Sequence, residues 1–276
     1  MKQFDSKVAV VTGAASGIGQ ALALRLAGEG ARLAISDVNE EGLEETRAAV
    51  AEAGAEVHAK RLDVADRQAF YAYADEVAAH FGGVNLVVNN AGVALSASIR
   101  EMKLEDLDWL MGINFWGVIY GTKAFLPHLE QTGDGHIVNI SSVFGIIGIP
   151  TQAAYNAAKF GVRGFTEALR IELDIADVGV SCTCVHPGGI RTNIARNARM
   201  PGGTPVGDKD EAVVQFDKMA RTTPDKAARV ILRGIRRNSR RVLIGADAHL
   251  IDVMQRTMPT GYQRIIGGGA KAVDKR

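Results

Sequence analysis

Short apolar runs rich in Val, Ile and Ala alternate with longer segments of helical apolar spacing along nearly the whole chain. Val8 to Thr12 is long enough for one buried strand, and Gln20 to Gly28 carries Ala21, Leu22, Leu24, Leu26 and Ala27 at helical spacing. Further strands are predicted at Arg32–Asp37, Glu56–Leu62, Asn85–Asn89, Gly135–Ile140, Val180–Val185 and Arg241–Ile244. Helices are predicted between them: about Glu40–Ala53, Asp66 as cap to His80, Leu104–Leu129 bent or closed by Pro127, Gln152–Ala176, and Thr223 to about Asn238. Asn90-Ala91-Gly92 breaks the fourth strand and Pro187-Gly188-Gly189 stops the sixth. His249 to Gly261 forms an amphipathic segment with Leu250, Ile251, Val253 and Met254 as its stripe, for docking on the core or on a subunit. Gly267 to Gly269 and the basic tail are expected to fray. The alternation predicts an α/β fold: a doubly wound parallel sheet of seven strands with helices on both faces, without repeat or linker.

The first strand leads directly into Gly13-Ala14-Ala15-Ser16-Gly17-Ile18-Gly19, and a helix follows. A pyrophosphate needs bare backbone N–H groups at the positive end of a helix, and a Cβ at the glycines would hold it off. An ordinary strand-to-helix turn has the same look. Asp37, closing the second strand where an acid would meet adenosine ribose hydroxyls, favours the nucleotide.

Composition narrows the partners. The 276 residues are 47% hydrophobic, enough for a full core, and the formal net charge of +1 gives no reason to expect nucleic acid or a membrane surface. No run approaches the ~18 apolar residues of a membrane span, and the start lacks the apolar segment of a signal peptide. Cys182 and Cys184 read as two buried thiols of a reducing compartment, so a cytoplasmic location is expected, and no metal is. Between Trp109 and Tyr120 nearly every position is apolar, and Ala153 to Leu173 mixes Ala, Gly and large apolar residues around its circumference. One side of each helix can face the sheet; the other is expected to face a second subunit.

Tyr155 and Lys159 stand four apart on a predicted helix and share a face. Alone the pair is weak, since surface pairs arise by chance. A neighbouring ammonium, however, favours a phenolate and brings tyrosine nearer to proton exchange at neutral pH. Ser142, at a strand's C-terminal end where open α/β sheets hold ligands, offers a hydroxyl to a carbonyl or alkoxide oxygen.

With these residues the chain resembles the short-chain dehydrogenase/reductase (SDR) family over about residues 6–245. The motifs are Thr12 to Gly19, Asn89-Asn90-Ala91-Gly92, Asn114, Ser142 with Tyr155 thirteen residues later, Lys159, and Pro187-Gly188 with Thr192. The resemblance implies a Rossmann-type domain over 1–248, with a substrate loop at 190–222, and leaves 249–276 as a C-terminal extension. It implies a tetrad: Tyr155 as general acid/base, Ser142 orienting the substrate oxygen, Lys159 binding the nicotinamide ribose and lowering the tyrosine pKa, and Asn114 holding a water of the proton relay. A local kink with a backbone-bonded amide is the other reading of Asn114.

Cofactor contacts carry over to Gly13, Ser16, Gly17, Ile18, Gly19, Asp37, Asp63 and Val64 at the adenine, Asn90, Ala91, Gly92, Pro187, Gly188, Ile190 and Thr192, besides Tyr155 and Lys159. Asp63 also reads as a helix cap, a role Asp66 can fill. His186, where many members of the family carry Asn or another small polar residue, reads as a wall residue. The implied pocket is apolar: Ala94 and Leu95, Val143, Phe144, Ile149, Pro150 and Gln152, with Gly189 opposite. Arg191, Arg196 and Arg199 read as solvated, and the stretch through Pro201 and Pro205 as a lid. The expectation is an NAD(H)-dependent oxidoreductase interconverting an uncharged, mainly hydrophobic secondary alcohol and ketone, assembled as a homotetramer or homodimer. Alternatives are a non-catalytic NAD(P)-binding scaffold and an NADP(H)-preferring carbonyl reductase; retention of Ser142, Tyr155 and Lys159 speaks against the scaffold.

Overall fold

In the computed structural model, seven strands form one parallel sheet in the order β3-β2-β1-β4-β5-β6-β7. The structure describes residues 1–200, 213–214, 218 and 220–273, without the side chains of 270–273. The predicted lid around Pro201 and Pro205 lies outside the described residues.

The strands are β1 (Val8–Thr12), β2 (Arg32–Asp37), β3 (Val57–Arg61), β4 (Leu86–Asn89), β5 (Gly135–Ile140), β6 (Val180–Pro187) and β7 (Arg241–Ile244). Between them run α1 (Gly17–Gly28), α2 (Glu40–Glu52), α3 (Arg67–Phe81), α4 (Leu104–Met111), α5 (Gly117–Thr132), α6 (Ala153–Ala176) and α7 (Pro224–Arg236). The pleat divides the core. Ala9 and Val11 of β1 face Leu22, Leu26 and Ile231 of α1 and α7, while Val8 and Val10 face Phe70, Tyr73 and Phe125 of α3 and α5. Two buried faces explain why the strands read as unbroken apolar runs.

Two predicted elements come out differently. The helix expected over Leu104–Leu129 is α4 and α5 joined by a π-helical turn at Gly112–Trp116, and Pro127 sits inside α5 without ending it. The break falls at Asn114, whose buried amide bonds backbone outside the helix. The C-terminal extension is helical through the glycines expected to fray: α8 (Ala246–Thr257) and α9 (Tyr262–Val273). Packing overrides the glycine propensity there, because Tyr262 and Ile266 dock with Ile251 and Met254 on the turn at Ile146–Ile149. Cys182 and Cys184 are buried and free.

A polar network runs through the core. Asn89 Nδ2 donates to Thr122 Oγ1 and Asn139 Oδ1, and Asn139 Nδ2 donates to Thr166 Oγ1 at 3.0 Å. It links α5, β4, β5 and α6 within the core. A Cβ on Gly121 would collide with Asn89 Oδ1, so the glycine is what lets α5 come this close. Asn139→Ala strands a donor on Asn89 and leaves Thr166 short of one. It is expected to lower stability by about 1–3 kcal/mol, read as an earlier urea midpoint at unchanged slope. A loss below about 0.5 kcal/mol, within the range of ordinary surface changes, would show the network to be dispensable.

Candidate active site

The site forms along the carboxyl ends of β1, β4, β5 and β6. At β1, Gly13 (φ +66) and Gly17 (φ +59) take left-handed backbone. Gly19 needs no unusual φ, but a Cβ on it would run into the Gly13 carbonyl. At these three positions the loop admits no side chain, which suits the close approach of a pyrophosphate to the start of α1. Ser16 is the N-cap of α1, Ile18 packs beside the core, and Thr192 lies against Gly17.

Thr12 and Asn90 clamp this loop. Thr12 Oγ1 accepts from the N–H groups of Asn90 and Ala91, both at 3.1 Å, and Asn90 Nδ2 donates to the carbonyls of Thr12 and Gly13. Asp37 bonds the loop as well, Oδ2 accepting from Ala15 N–H at 3.0 Å and Oδ1 from Asn39 N–H. Asp63 accepts from Ala65 N–H while Asp66 caps α3, so the capping role belongs to Asp66. Val64 is buried against Gly117, behind the π turn.

Asn114, Ser142, Tyr155 and Lys159 come together from three elements. Asn114 is fully buried; its Oδ1 accepts from Val93 N–H and its Nδ2 donates to Val93 O, both at 2.8 Å. The local kink with a backbone-bonded amide is what the structure shows at this residue. Gly92 lies next to it, and a Cβ there would sit 3.4 Å from Asn114 Oδ1 and 3.7 Å from Lys159 Nζ. Ser142 caps a short 3-10 turn at Val143–Gly145, its Oγ accepting from Phe144 N–H at 3.1 Å. Tyr155 stands on the first turn of α6, with Phe144 edge-on to its ring at 6.0 Å. Lys159, one turn on, donates from Nζ to Ile140 O at 2.9 Å, and Nζ lies 5.5 Å from the centre of the Tyr155 ring.

Desolvation dominates the titration of this group. Burial pushes the Tyr155 phenol up to about 12, partly countered by hydrogen bonding with the Ser142 hydroxyl. Burial pushes Lys159 down to about 8. A site drier than water disfavours both charged forms, so burial moves the phenol away from neutrality, against the lowering that is expected of the Lys159 ammonium.

Beyond β6, Gly188 N–H donates to Ile244 O and Gly189 N–H to Asp247 Oδ2 at 2.7 Å, while buried Ile190 bridges to Thr222. Pro187, expected to stop the sixth strand, is its last residue. Among the predicted pocket residues, Ala94 O accepts from Arg199 N–H, and Gln152 starts α6 beside Ala97. Leu95 is buried between α4 and α6, and Ile149 turns toward the Tyr262 cluster. The arginines read as solvated have partners. The Arg199 guanidinium stacks 3.6 Å above the Trp109 ring and pairs with Asp106, and Arg191 Nε donates to Ala220 O. Arg196 bonds Asn193, and Arg191, Thr192, Asn193 and Arg196 line a cavity of about 330 Å³.

Three supporting residues went unread in the sequence. Asn156, next to Tyr155, holds the Phe144–Ile149 turn through Phe144 O, Ile147 O and Ile149 N–H. Asp247 and Tyr262, which accepts from Gly148 N–H at 3.1 Å, left no signal, because their partners are backbone atoms far along the chain.

This arrangement matches known proteins throughout. The model of the short chain dehydrogenase family matches residues 7–201. A Mycobacterium tuberculosis protein described as “Putative oxidoreductase SadH” is 50% identical over 270 residues, covering 98% of this chain and 97% of its own. A short-chain dehydrogenase/reductase from Burkholderia phymatum, solved in complex with NAD, superposes with a TM-score of 0.84 at 31% identity over 96% of both chains. An alcohol dehydrogenase from Thermococcus sibiricus, solved with 5-hydroxy-NADP, superposes with a TM-score of 0.71 at 27% identity, over 87% of this chain and 96% of its own. On this sequence match and this architecture, the chain belongs to the short-chain dehydrogenase/reductase family of oxidoreductases.

Proposed function

We propose that the chain is an NAD(H)-dependent enzyme interconverting a secondary alcohol and a ketone, with Tyr155 as general acid/base. The observation that carries this reading is the convergence of Asn114, Ser142, Tyr155 and Lys159 beside a loop in which positions 13, 17 and 19 must be glycine. The loop fits the nicotinamide cofactor: the N–H groups of Gly17–Gly19 at the start of α1 suit its pyrophosphate, Asp37 its adenosine ribose, and Lys159 its second ribose. When bound, the cofactor supplies or removes the hydride. Ser142 would donate its hydroxyl proton to the substrate oxygen, and Tyr155 would give or take the proton at that same oxygen. A charged Lys159 would oppose the desolvation that holds the phenol at about 12. Asn114, its side chain spent on Val93, would contribute through the π turn that it stabilises, where a backbone carbonyl is freed to hold a relay water. Phe144, edge-on to the Tyr155 ring, offers apolar surface beside the reacting group, which favours an uncharged, hydrophobic substrate.

The same reading extends to assembly. Trp116, Phe160, Ile171 and Ile175 are exposed on the π turn and α6, a patch of the kind that pairs copies of a chain. A homotetramer or homodimer is expected, and a stable monomer in light scattering at micromolar concentration would refute it.

NAD(H) is expected to be preferred over NADP(H). Asp37 would repel a 2′-phosphate, and the nearby basic side chain of Arg61, in register with Asp37 across β2 and β3, is engaged by Glu40 at 3.4 Å. Repulsion at such a site is worth roughly 1–3 kcal/mol, a preference of about fivefold to over a hundredfold. Equal kcat/KM for the two cofactors would overturn this.

Tyr155→Phe is expected to cut turnover of secondary alcohols by about a thousandfold while leaving NAD⁺ affinity within about twofold, since the ring still packs. Lys159→Met should lose both turnover and NAD⁺ affinity, and yet fold more stably near neutral pH. The folded-state pKa of Lys159, about 8, lies below its ordinary 10.5, so burying its charge costs stability at every pH below 8. That cost fades as pH rises from 8 towards 10.5. The variant's advantage, about 1–3 kcal/mol at pH 7, should shrink over the same window. A Tyr155→Phe protein with near-normal kcat would sink the mechanism; a Lys159→Met protein less stable at pH 7 than at pH 10, relative to the parent, would sink the account of the lysine.

A further inference from the structure

His186, next to last in β6, has no exposed surface, and the tetrad does not use it. Its Nδ1 lies 3.0 Å from the carbonyl oxygen of Ser142. We propose that His186 is a positioning residue for Ser142: its Nδ1–H donates to the Ser142 carbonyl and fixes where the serine hydroxyl meets the substrate. This rests on the reading of Ser142 as the group that orients the substrate oxygen.

The tautomer follows from chemistry. A carbonyl can only accept, so the proton must sit on Nδ1. Burial pushes the imidazole pKa down to about 4, so the ring is neutral at working pH and Nε2 is a bare acceptor. Nε2 is buried and has no hydrogen-bond partner among the described residues. An apolar side chain would fill this place without leaving an unpaired atom. What the imidazole adds is the Nδ1 donor.

The bonds around Ser142 show why one donor matters. Ser142 Oγ accepts from Phe144 N–H and Ser142 O accepts from Gly145 N–H at 2.9 Å, but both bonds lie within the turn and move with it. The β5–β6 ladder ends one residue earlier, where Ser141 N–H donates to Val185 O. Beyond that rung, His186 is the tie between the Ser142 backbone and β6 among the described residues. Within the turn Ser142 Oγ only accepts, from Phe144 N–H, so its proton is left for partners outside the turn, the Tyr155 phenol and a substrate oxygen.

Side-chain lengths supply a test. The Asn amide nitrogen stands as many bonds from Cβ as Nδ1 does, and the Gln amide nitrogen reaches the place of Nε2. With 2-octanol and NAD⁺, His186→Asn is expected to keep kcat within about threefold, while His186→Gln and His186→Leu lose about tenfold or more. The KM for NAD⁺ should stay within about twofold in all three. An Asn variant as poor as the Leu variant, or a Leu variant as good as the parent, would overturn the proposal. Should the Leu variant not fold, Asn against Gln decides. Nitrogen-15 spectra of the full chain, labelled at histidine, are expected to show Nδ1–H and a bare Nε2 for His186. The opposite tautomer overturns the proposal even if the parent does not turn over 2-octanol. Ser142→Ala separates the two ideas. Full turnover in that variant defeats the reading of the site, whereas its loss alongside an unaffected His186→Leu defeats the positioning role alone.

Discussion

The hydroxyl of Thr12 holds the nucleotide end of the sheet together. It accepts two backbone N–H groups from Asn90 and Ala91, and the Asn90 amide returns two bonds to the carbonyls of Thr12 and Gly13. β1 and β4 are neighbours across the point where the strand order reverses, so their carboxyl ends would otherwise diverge into loops going opposite ways. With four hydrogen bonds between them, the glycine loop and the Asn90–Gly92 segment form one rigid rim. Gly92 then stands where Asn114 and Lys159 arrive from two other elements. Loosening the clamp would move the glycine loop relative to Asn114 and Lys159, although neither residue would itself be altered.

Burial sets the chemistry of the same place. The enclosure that brings Ser142, Tyr155 and Lys159 into one dry site pushes the phenol up and the ammonium down. A proton on a substrate oxygen is handled best by groups whose charged and neutral forms lie close in energy. Each group here starts from the side that desolvation favours, and nearby charge and hydrogen bonds must bring it back. The site is therefore kept at a cost in stability, with the buried network of Asn89, Asn139, Thr122 and Thr166 securing the strands below it.

The turn after Ser142 is held from several sides: by Asn156 of α6, by Tyr262 of α9 at Gly148, and by His186 of β6. The extension also reaches the opposite rim, where Asp247 bonds Gly189. The helices after β7 thus brace both walls of the substrate side. That position explains why α9 stays helical through three consecutive glycines: its apolar residues have somewhere to dock.

The sequence by itself determined the seven strands, their order along the chain and the helices between most of them, because two buried faces leave apolar runs that local patterning reveals. It also picked out the glycine loop and the Tyr155–Lys159 pair that the fold brings to one end of the sheet, since a glycine motif and a Tyr–Lys pair one turn apart are local patterns. Tertiary structure decided the rest. The π turn at Asn114 arises because the amide bonds Val93, 21 positions away. The direction of the Tyr155 pKa came from enclosure, which four-residue spacing cannot express. The helix through Gly267–Gly269, the Arg199–Trp109 stack and the His186 bond to Ser142 all depend on partners distant in sequence. Propensity and spacing describe a residue's neighbours along the chain, whereas burial and long-range hydrogen bonds exist only once the sheet has brought its carboxyl ends together.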